Sequence, residues 1–404
     1  MELTATKYKQ TEVGLIPEDW NVKSLGDIGE VKMCKRIFNY QTKDNGDIPF
    51  YKIGTFGKEP DAFISREIYN EFRNKYSFPT VGSVLISAAG TIGRLVVFDG
   101  TDSYFQDSNI IWIENNNQVI SNEYLRHSFP NVRFQTEGGT IKRLYNNILK
   151  SGLFPCPPNE VEQKVISRVL SDTDALIQAL EKKIAKKKHI KKGVMQKLLT
   201  PKENWIESKV SSVGQPYGGM SGKTKSDFSN GNAHYVPFMN VMSNPITDTG
   251  YLDSVNIKKG ETQNKILKGD LLFNGSSETP EEVGFCSALL EQIDDLYLNS
   301  FCFGFRIHNT KKYDSLFLAY FFRSTLGRKF FYSLAQGATR YNLSKTNFLK
   351  STLTLPIHED QVQIASIIRD MDSEIENLEQ KLSKYQLAKQ GMMQQLLTGK
   401  IRLV

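Results

Sequence analysis

Lys191-Lys192-Gly193-Val194-Met195-Gln196-Lys197-Leu198-Leu199-Thr200 and Lys389-Gln390-Gly391-Met392-Met393-Gln394-Gln395-Leu396-Leu397-Thr398 are one segment written twice. Extended backwards at a constant offset of 198, Pro158–Thr200 lies on Pro356–Thr398 without a gap, with 17 of 43 positions identical. A repeat of this length sets the architecture before any single motif is weighed. Each copy reads as one long helix, with apolar residues at three- and four-residue spacing: Ile177, Leu180, Ile184, Val194 and Leu198 in the first, Ile375, Leu378, Leu382, Tyr385, Met392 and Leu396 in the second. Such a seam predicts coiled-coil packing. The same register puts Lys187, Lys191 and Lys389 on the seam, so its middle is imperfect. Asn159 with Glu162 offers the first helix a capping box, whereas the second has only Ile357 or His358 there. Each rod of about 40 residues spans about 60 Å. Gly193 and Gly391, each costing about 1 kcal/mol against alanine, are expected to mark close helix approach.

The 404 residues, 39% hydrophobic and 24% charged, suit two to three globular domains. No apolar run reaches the roughly 18 residues of a membrane span, and Met1–Gln10 lacks the apolar core of a signal peptide, so the expected location is cytoplasmic with no membrane partner. Cys34, Cys156, Cys286 and Cys302 show no Cys-x-x-Cys spacing and read as buried small apolar residues. A net charge of +7 and a pI near 8.9 mildly favour a polyanionic partner. Eight lysines crowd Lys182–Lys197, either as the solvated face of the coiled coil or as a contact for DNA or a partner subunit.

The repeat extends beyond the helices. Pro17-Glu18-Asp19-Trp20 leads to Leu25 and Gly29, as Pro201-Lys202-Glu203-Asn204-Trp205 leads to Val210 and Gly214. Ile48-Pro49-Phe50 is echoed by Val236-Pro237-Phe238. The runs Gly82–Ile86 and Gly269–Phe273 read as matching strands. Gly138, Thr140 and Leu144 match Gly337, Thr339 and Leu343. The predicted fold class is α+β: two globular α/β modules in tandem, each followed by a rod. The boundaries are 1–155, 156–200, 201–355 and 356–404. The loops diverge where the frame does not. Ser87–Gly93 faces the longer Asn274–Gly284, the division expected of a constant scaffold with reading loops.

No catalytic constellation emerges. Gly218-Gly219-Met220-Ser221-Gly222-Lys223-Thr224 has three residues between Gly218 and the Gly-Lys pair where a phosphate-cradling loop needs four, and a polar, turn-rich stretch follows it instead of a helix. Asn244-Pro245-Ile246-Thr247 lacks the second proline and the aromatic residue of an adenine-methylating turn. The five histidines have no ligand spacing, so no metal site is expected. Basic and aromatic residues on glycine-containing loops remain: Lys32, Lys35 and Arg36 with Phe38 and Tyr40; Lys142, Arg143 and Tyr145; Lys223 and Lys225; and Arg340, Tyr341 and Lys345. Such side chains position a protein on phosphates, and arginine also reads guanine.

With two variable modules, each followed by a helix ending Gly193–Thr200 or Gly391–Lys400, the chain resembles the specificity subunit of type I restriction-modification systems. Thr11–Trp20, Pro356–Gln361 and Leu396–Leu403 add to the likeness, which covers the whole chain. The resemblance implies target recognition domains at Met1–Pro155 and Pro201–Leu355, each reading half of a bipartite site in double-stranded DNA. It implies that the rods pair antiparallel with a pseudo-two-fold relation, set the unread spacer and dock two methyltransferase subunits, which restriction-translocase subunits may join. S-adenosylmethionine, ATP and Mg would belong to those partners, leaving this chain without a cofactor. Non-identical modules on antiparallel rods would meet DNA as a dimer does, with half-sites roughly 34 to 36 Å apart and unrelated in sequence. A coiled-coil scaffold with two domains directed at ligands other than DNA is the alternative.

Overall fold

The computed structural model describes residues 7–134 and 143–403. The two repeats form helices Glu160–Leu198 and His358–Leu396, each of 39 residues and offset by the same 198 at both ends. The described chain divides into two units. The first runs through Glu181 and resumes from Lys381, and the second is Lys182–Gln380, so each unit draws on both long helices.

In the first unit, strand Asn21–Ser24 pairs antiparallel with Leu153–Cys156, clasping the module immediately before the first long helix. Inside the clasp lies an antiparallel four-stranded sheet in the order Gly29–Met33, Ile110–Asn115, Val84–Ser87, Leu95–Val97. Beside it, Ile48–Tyr51 pairs with Phe63–Ile64 and, in parallel, with Tyr104–Phe105. The second unit repeats the plan. Ile206–Lys209 clasps Thr352–Leu355, the four-stranded order is Gly214–Gly218, Cys302–Ile307, Leu271–Asn274, Cys286–Ala288, and Phe228–Val236 runs parallel to Leu296–Leu298. The two expected strands therefore form as Val84–Ser87 and Leu271–Asn274.

One echo fails. Pro49 lies within strand Ile48–Tyr51, whereas Pro237 follows its strand and occupies the N-cap position of helix Phe238–Ser243. Proline fits both positions because neither requires its missing N–H, so the tripeptides match in sequence without being equivalent. Gly138 and Thr140 lie outside the described residues. Leu144 and Leu343 are both buried.

The cores explain why each unit needs both long helices. In the first, Trp20, Leu25, Ile111, Tyr124 and Phe154 pack with Ile166 and Leu170 near the start of one long helix and with Leu396 and Leu397 at the end of the other. In the second, Trp205, Val210, Phe303, Phe317 and Phe348 pack with Ile364 and Ile368 and with Leu199. Burying each such side chain contributes about 1.5–3 kcal/mol. The four cysteines are buried and free, and burial pushes the thiols up, Cys34 and Cys302 to about 12 and Cys156 to about 11.

Along the seam, Ile177, Leu180, Ile184, Ile375 and Leu396 are buried, and Leu198, Leu378 and Leu382 are half-buried. The lysines that interrupt it have partners. In the second unit Lys191 pairs with Asp372 and Lys187 donates to Glu374 at 2.7 Å, so numbers rising on one helix fall on the other, as antiparallel packing requires. In the first unit Lys389 pairs with Asp174, the Lys191–Asp372 contact shifted by 198 with its partners exchanged between helices. The capping box is only half formed. Asn159 Oδ1 accepts from Val161 N at 2.8 Å, but the Glu162 carboxylate, fully buried, instead accepts from Arg402 at 2.5 and 2.9 Å. Arg402 also donates to both Asp19 oxygens and lies over the Trp20 ring; its hydrogen bonds hold the Asp19 carboxyl below its ordinary range.

Gly193 and Gly391 do not mark close approach: a Cβ at either would meet nothing within 4 Å. Close approach belongs to a different repeated pair. A Cβ on Gly29 would lie 2.0 Å from Glu114 O, and one on Gly214 would lie 2.3 Å from Arg306 O, where each four-stranded sheet begins. Gly193→Ala therefore relieves helix propensity without a clash, and should stabilise the chain by about 0.5–1 kcal/mol. Gly29→Ala should destabilise it. Denaturant midpoints of the two variants check this.

His127 is buried, with Nε2 2.9 Å from Ser171 Oγ. Burial first, and Arg126 next, lower its pKa from 6.5 to about 4, while Asp174 and Glu123 pull the other way. Between those values the unfolded chain binds the proton that the folded histidine refuses. Stability is thus complete above 6.5 and drains as pH falls toward 4, by at most about 3 kcal/mol. Unfolding midpoints at pH 7.5 and 5 should differ less in His127→Gln than in the wild type.

Candidate nucleic-acid interface

Each unit brings three loops together at one end of the central strands of its four-stranded sheet through the same backbone frame. In the first, Ala88 N donates to Asn109 O at 2.8 Å and Leu144 N donates to Ala88 O at 2.8 Å. In the second, Gly275 N donates to Phe301 O at 2.9 Å and Leu343 N donates to Gly275 O at 2.9 Å. The turn before the last long strand, the glycine loop after the central strand and the segment before the last short helix are thus tied together twice. The frame is backbone, so it survives changes of side chain.

On the first rim, Arg36 Nε donates to Asp107 Oδ2 at 2.8 Å while Arg143 Nη2 donates to Ser108 O at 2.8 Å. Two clusters more than a hundred residues apart in sequence therefore converge on one turn. Arg143 also lies 5.8 Å from the ring of exposed Tyr145. Lys35 is exposed, with Nζ 5.1 Å from the Tyr76 ring, and Phe38 and Tyr40, both exposed, stack at 5.8 Å. Lys32 pairs with Glu114 at 3.4 Å. Lys142 lies outside the described residues.

On the second rim, Arg340 Nη2 donates to Ser276 Oγ at 3.2 Å, and its guanidinium lies 5.2 Å from the ring of Phe301, which is 55% exposed. Tyr341 is half-buried, in the strand facing Ser277. Lys345 opens the helix capped by Ser344 and holds Nζ 5.2 Å from the Phe303 ring. Sequence reasoning passed over Phe301 and Asn109. Their signal was present: each stands one residue before the apolar strand that centres its sheet.

Lys223 leaves the candidate set. Its side chain is only 5% exposed, donating to Asn256 O at 2.7 Å and pairing with Glu261 at 2.6 Å. Lys225, in the short turn that follows, remains exposed. The strand Phe228–Val236 comes next, so no helix N-terminus faces the glycine loop. A cleft of about 980 Å³ in the second unit, lined by Lys191, Tyr320, Arg323, Arg369, Asp372 and Glu379 among others, shares no residue with the three-loop rim. Among the described residues no group of three His, Cys, Asp or Glu could hold a metal, and no helix is long and apolar enough to cross a membrane.

A twice-built frame that presents different side chains defines a tandem recognition protein. The sequence profile described as the type I restriction modification DNA specificity domain matches residues 17–191 and again 202–384, and the chain belongs to that family. Among relatives, it is 51% identical over 162 residues to a Haemophilus influenzae chain named as a type I restriction enzyme specificity subunit, a match spanning 40% of this chain and 42% of that one. It is 26% identical over 424 residues to the chain named as the MjaX specificity subunit of Methanocaldococcus jannaschii, covering 98% and 97% of the two. The crystal structure of the type I restriction-modification S subunit from M. genitalium shares the fold, with a TM-score of 0.59 at 12% identity over 98% of this chain and 99% of that one.

The hydrogen bond from Lys223, then that from Gln263, holds the Glu261 carboxyl at about 2. In Lys223→Met that carboxyl should titrate closer to 4.5, its ordinary value, which side-chain NMR reads directly.

Proposed function

We propose that each recognition domain reads one half of a bipartite site in duplex DNA through its three-loop rim. On the first rim the contacts are Lys35, Arg36, Arg143 and Tyr145; on the second, Arg340, Tyr341 and Lys345, with exposed Lys225 as a further contact outside the rim. One observation carries this: the hydrogen-bonded frame is the same twice, and the side chains mounted on it are cationic, aromatic and different. Cations beside aromatic rings suit phosphate and base edges together. The difference between rims makes the two half-sites unrelated in sequence.

The paired long helices, on this proposal, set the unread spacer, and their exposed faces dock two methyltransferase subunits, which restriction-translocase subunits join. S-adenosylmethionine, ATP and Mg are then held by those partners, and adenine methylation and DNA cleavage are their chemistry.

Mapping methylated adenines across the genome of a strain that gains and then loses this gene tests the proposal. Two unrelated half-sites with a fixed spacer should appear and vanish with the gene; an unchanged map or one contiguous site overturns it. Removing seven residues from each long helix, which preserves the seam, should shorten the spacer by about 3 base pairs, since two turns span about 10 Å. An unchanged spacer with both half-sites retained would sink the role of the helices as a ruler.

A further inference from the structure

Asn109 and Phe301 occupy one position in two copies of the same frame. Ile111 pairs with Ile86 in the first sheet as Phe303 pairs with Phe273 in the second, so the register of the two last long strands is shared. One residue before each of these strands, the carbonyl accepts from the glycine-loop N–H, Ala88 or Gly275, whose own carbonyl accepts from Leu144 or Leu343. The turn on the other side is fastened as well. Ile110 N donates to Gln106 O at 3.1 Å and Cys302 N to Asn299 O at 3.0 Å, and Asn299 Oδ1 accepts from Phe301 N at 2.9 Å. A side chain here is carried by backbone hydrogen-bonded on both sides, the preorganisation that reading a base edge requires.

The two side chains differ in kind. Asn109 is half-buried between the glycine loop and the Asp107–Ser108 turn to which Arg36 and Arg143 are tied. Phe301 projects an exposed apolar ring beside the Arg340 guanidinium and the Ser276 hydroxyl. Single exposed apolar residues are common, but this one stands where its counterpart is an amide and where cations converge. An amide matches the N6 and N7 edge of adenine, and an apolar ring matches the 5-methyl group of thymine in the major groove.

We propose that Asn109 and Phe301 are the equivalent base-reading residues of the two domains, Asn109 against an adenine edge and Phe301 against a thymine methyl group. This rests on the DNA-reading role set out above. Rims that place a donor-acceptor pair in one domain and a methyl-sized apolar contact in the other discriminate different bases from the same hydrogen-bonded frame.

The test uses the complex of this chain with its methyltransferase subunit and a pool of randomised duplex DNA. The wild-type complex should select two half-sites, the second containing a thymine at which replacement by uracil, which deletes only the methyl group, weakens binding several-fold and up to about tenfold. Phe301→Ala should lose selection at that base pair alone, become insensitive to uracil there, keep the first half-site and keep the salt dependence of binding. Asn109→Ala should lose selection at an A·T pair of the first half-site only. Phe301 is exposed, and equal thermal midpoints will show that its variant is folded; Phe301→Leu, which keeps an apolar contact, should retain part of the uracil sensitivity. The inference is overturned if Phe301→Ala selects the wild-type second half-site. It is equally overturned if binding falls uniformly with a shallower salt slope, since that marks a phosphate contact. Should the wild-type complex select no sequence, the DNA-reading role itself fails; selection by the wild type with unaltered variants removes only the present inference.

Discussion

The pairing of Lys191 with Asp372, repeated as Lys389 with Asp174, is the constraint on which the long helices depend. Each lysine occupies a seam position where leucine or isoleucine would pack more cheaply. A partly buried ammonium is costly without a counter-charge, so any slip of one helix along the other strands a cation against apolar neighbours. Leucine-rich seams tolerate neighbouring registers; a polar pair does not. Both partners recur at the same offset, so each unit receives the same lock from opposite helices. Each lock has a neighbour in the module. Tyr320 OH donates to Asp372 at 2.9 Å in one unit, and Arg126 donates to Asp174 at 3.1 Å in the other. The helix register and the seating of the globular part are therefore fixed by the same carboxylate.

From that lock the architecture follows outward. With the register set, Ile166 and Leu170 meet Leu396 and Leu397 in one core, and Ile364 and Ile368 meet Leu199 in the other. The clasp strands that run into and out of these helices hold the sheet, and the ends of its central strands carry the three-loop rim. Rigidity thus passes from the helices through the clasp to the rim, where side chains vary without disturbing what supports them.

Much of this was legible in the sequence, and the boundary of legibility has a physical cause. The helices were readable because a gapless repeat doubles every periodic signal; the first begins at Glu160, four residues inside the boundary at 156, and ends at Leu198. The α+β modules and the central strands showed as apolar runs between turn residues. The seam lysines looked like defects because Asp372 and Asp174 stand about 180 and 215 positions away, and periodicity along one helix carries no information about its partner. Gly193 misled for the same reason: a glycine in a helical pattern reads alike whether its open side meets another helix or meets nothing. Lys223 looked available because it follows Gly222 in a glycine-containing loop, while Glu261 lies 38 residues on. The rims were legible only as separate clusters, for Arg36 reaches Asp107 across 71 residues. Asn109 and Phe301 went unseen because the turns that carry them share no motif; their place one residue before each central strand counts only once the strand register shows that they correspond.

The sharing of both long helices by both units has a consequence for how the chain can be divided. A cut at the junction near Thr200, the natural place by composition, leaves the first piece without Leu396, Leu397 and the Arg402 that neutralises buried Glu162. The second piece would lack Leu199 and the Lys191 that faces Asp372. Neither fragment contains the whole of its own core. The genetic half and the physical half of this molecule are different objects, and a self-sufficient module is not a contiguous stretch of its gene.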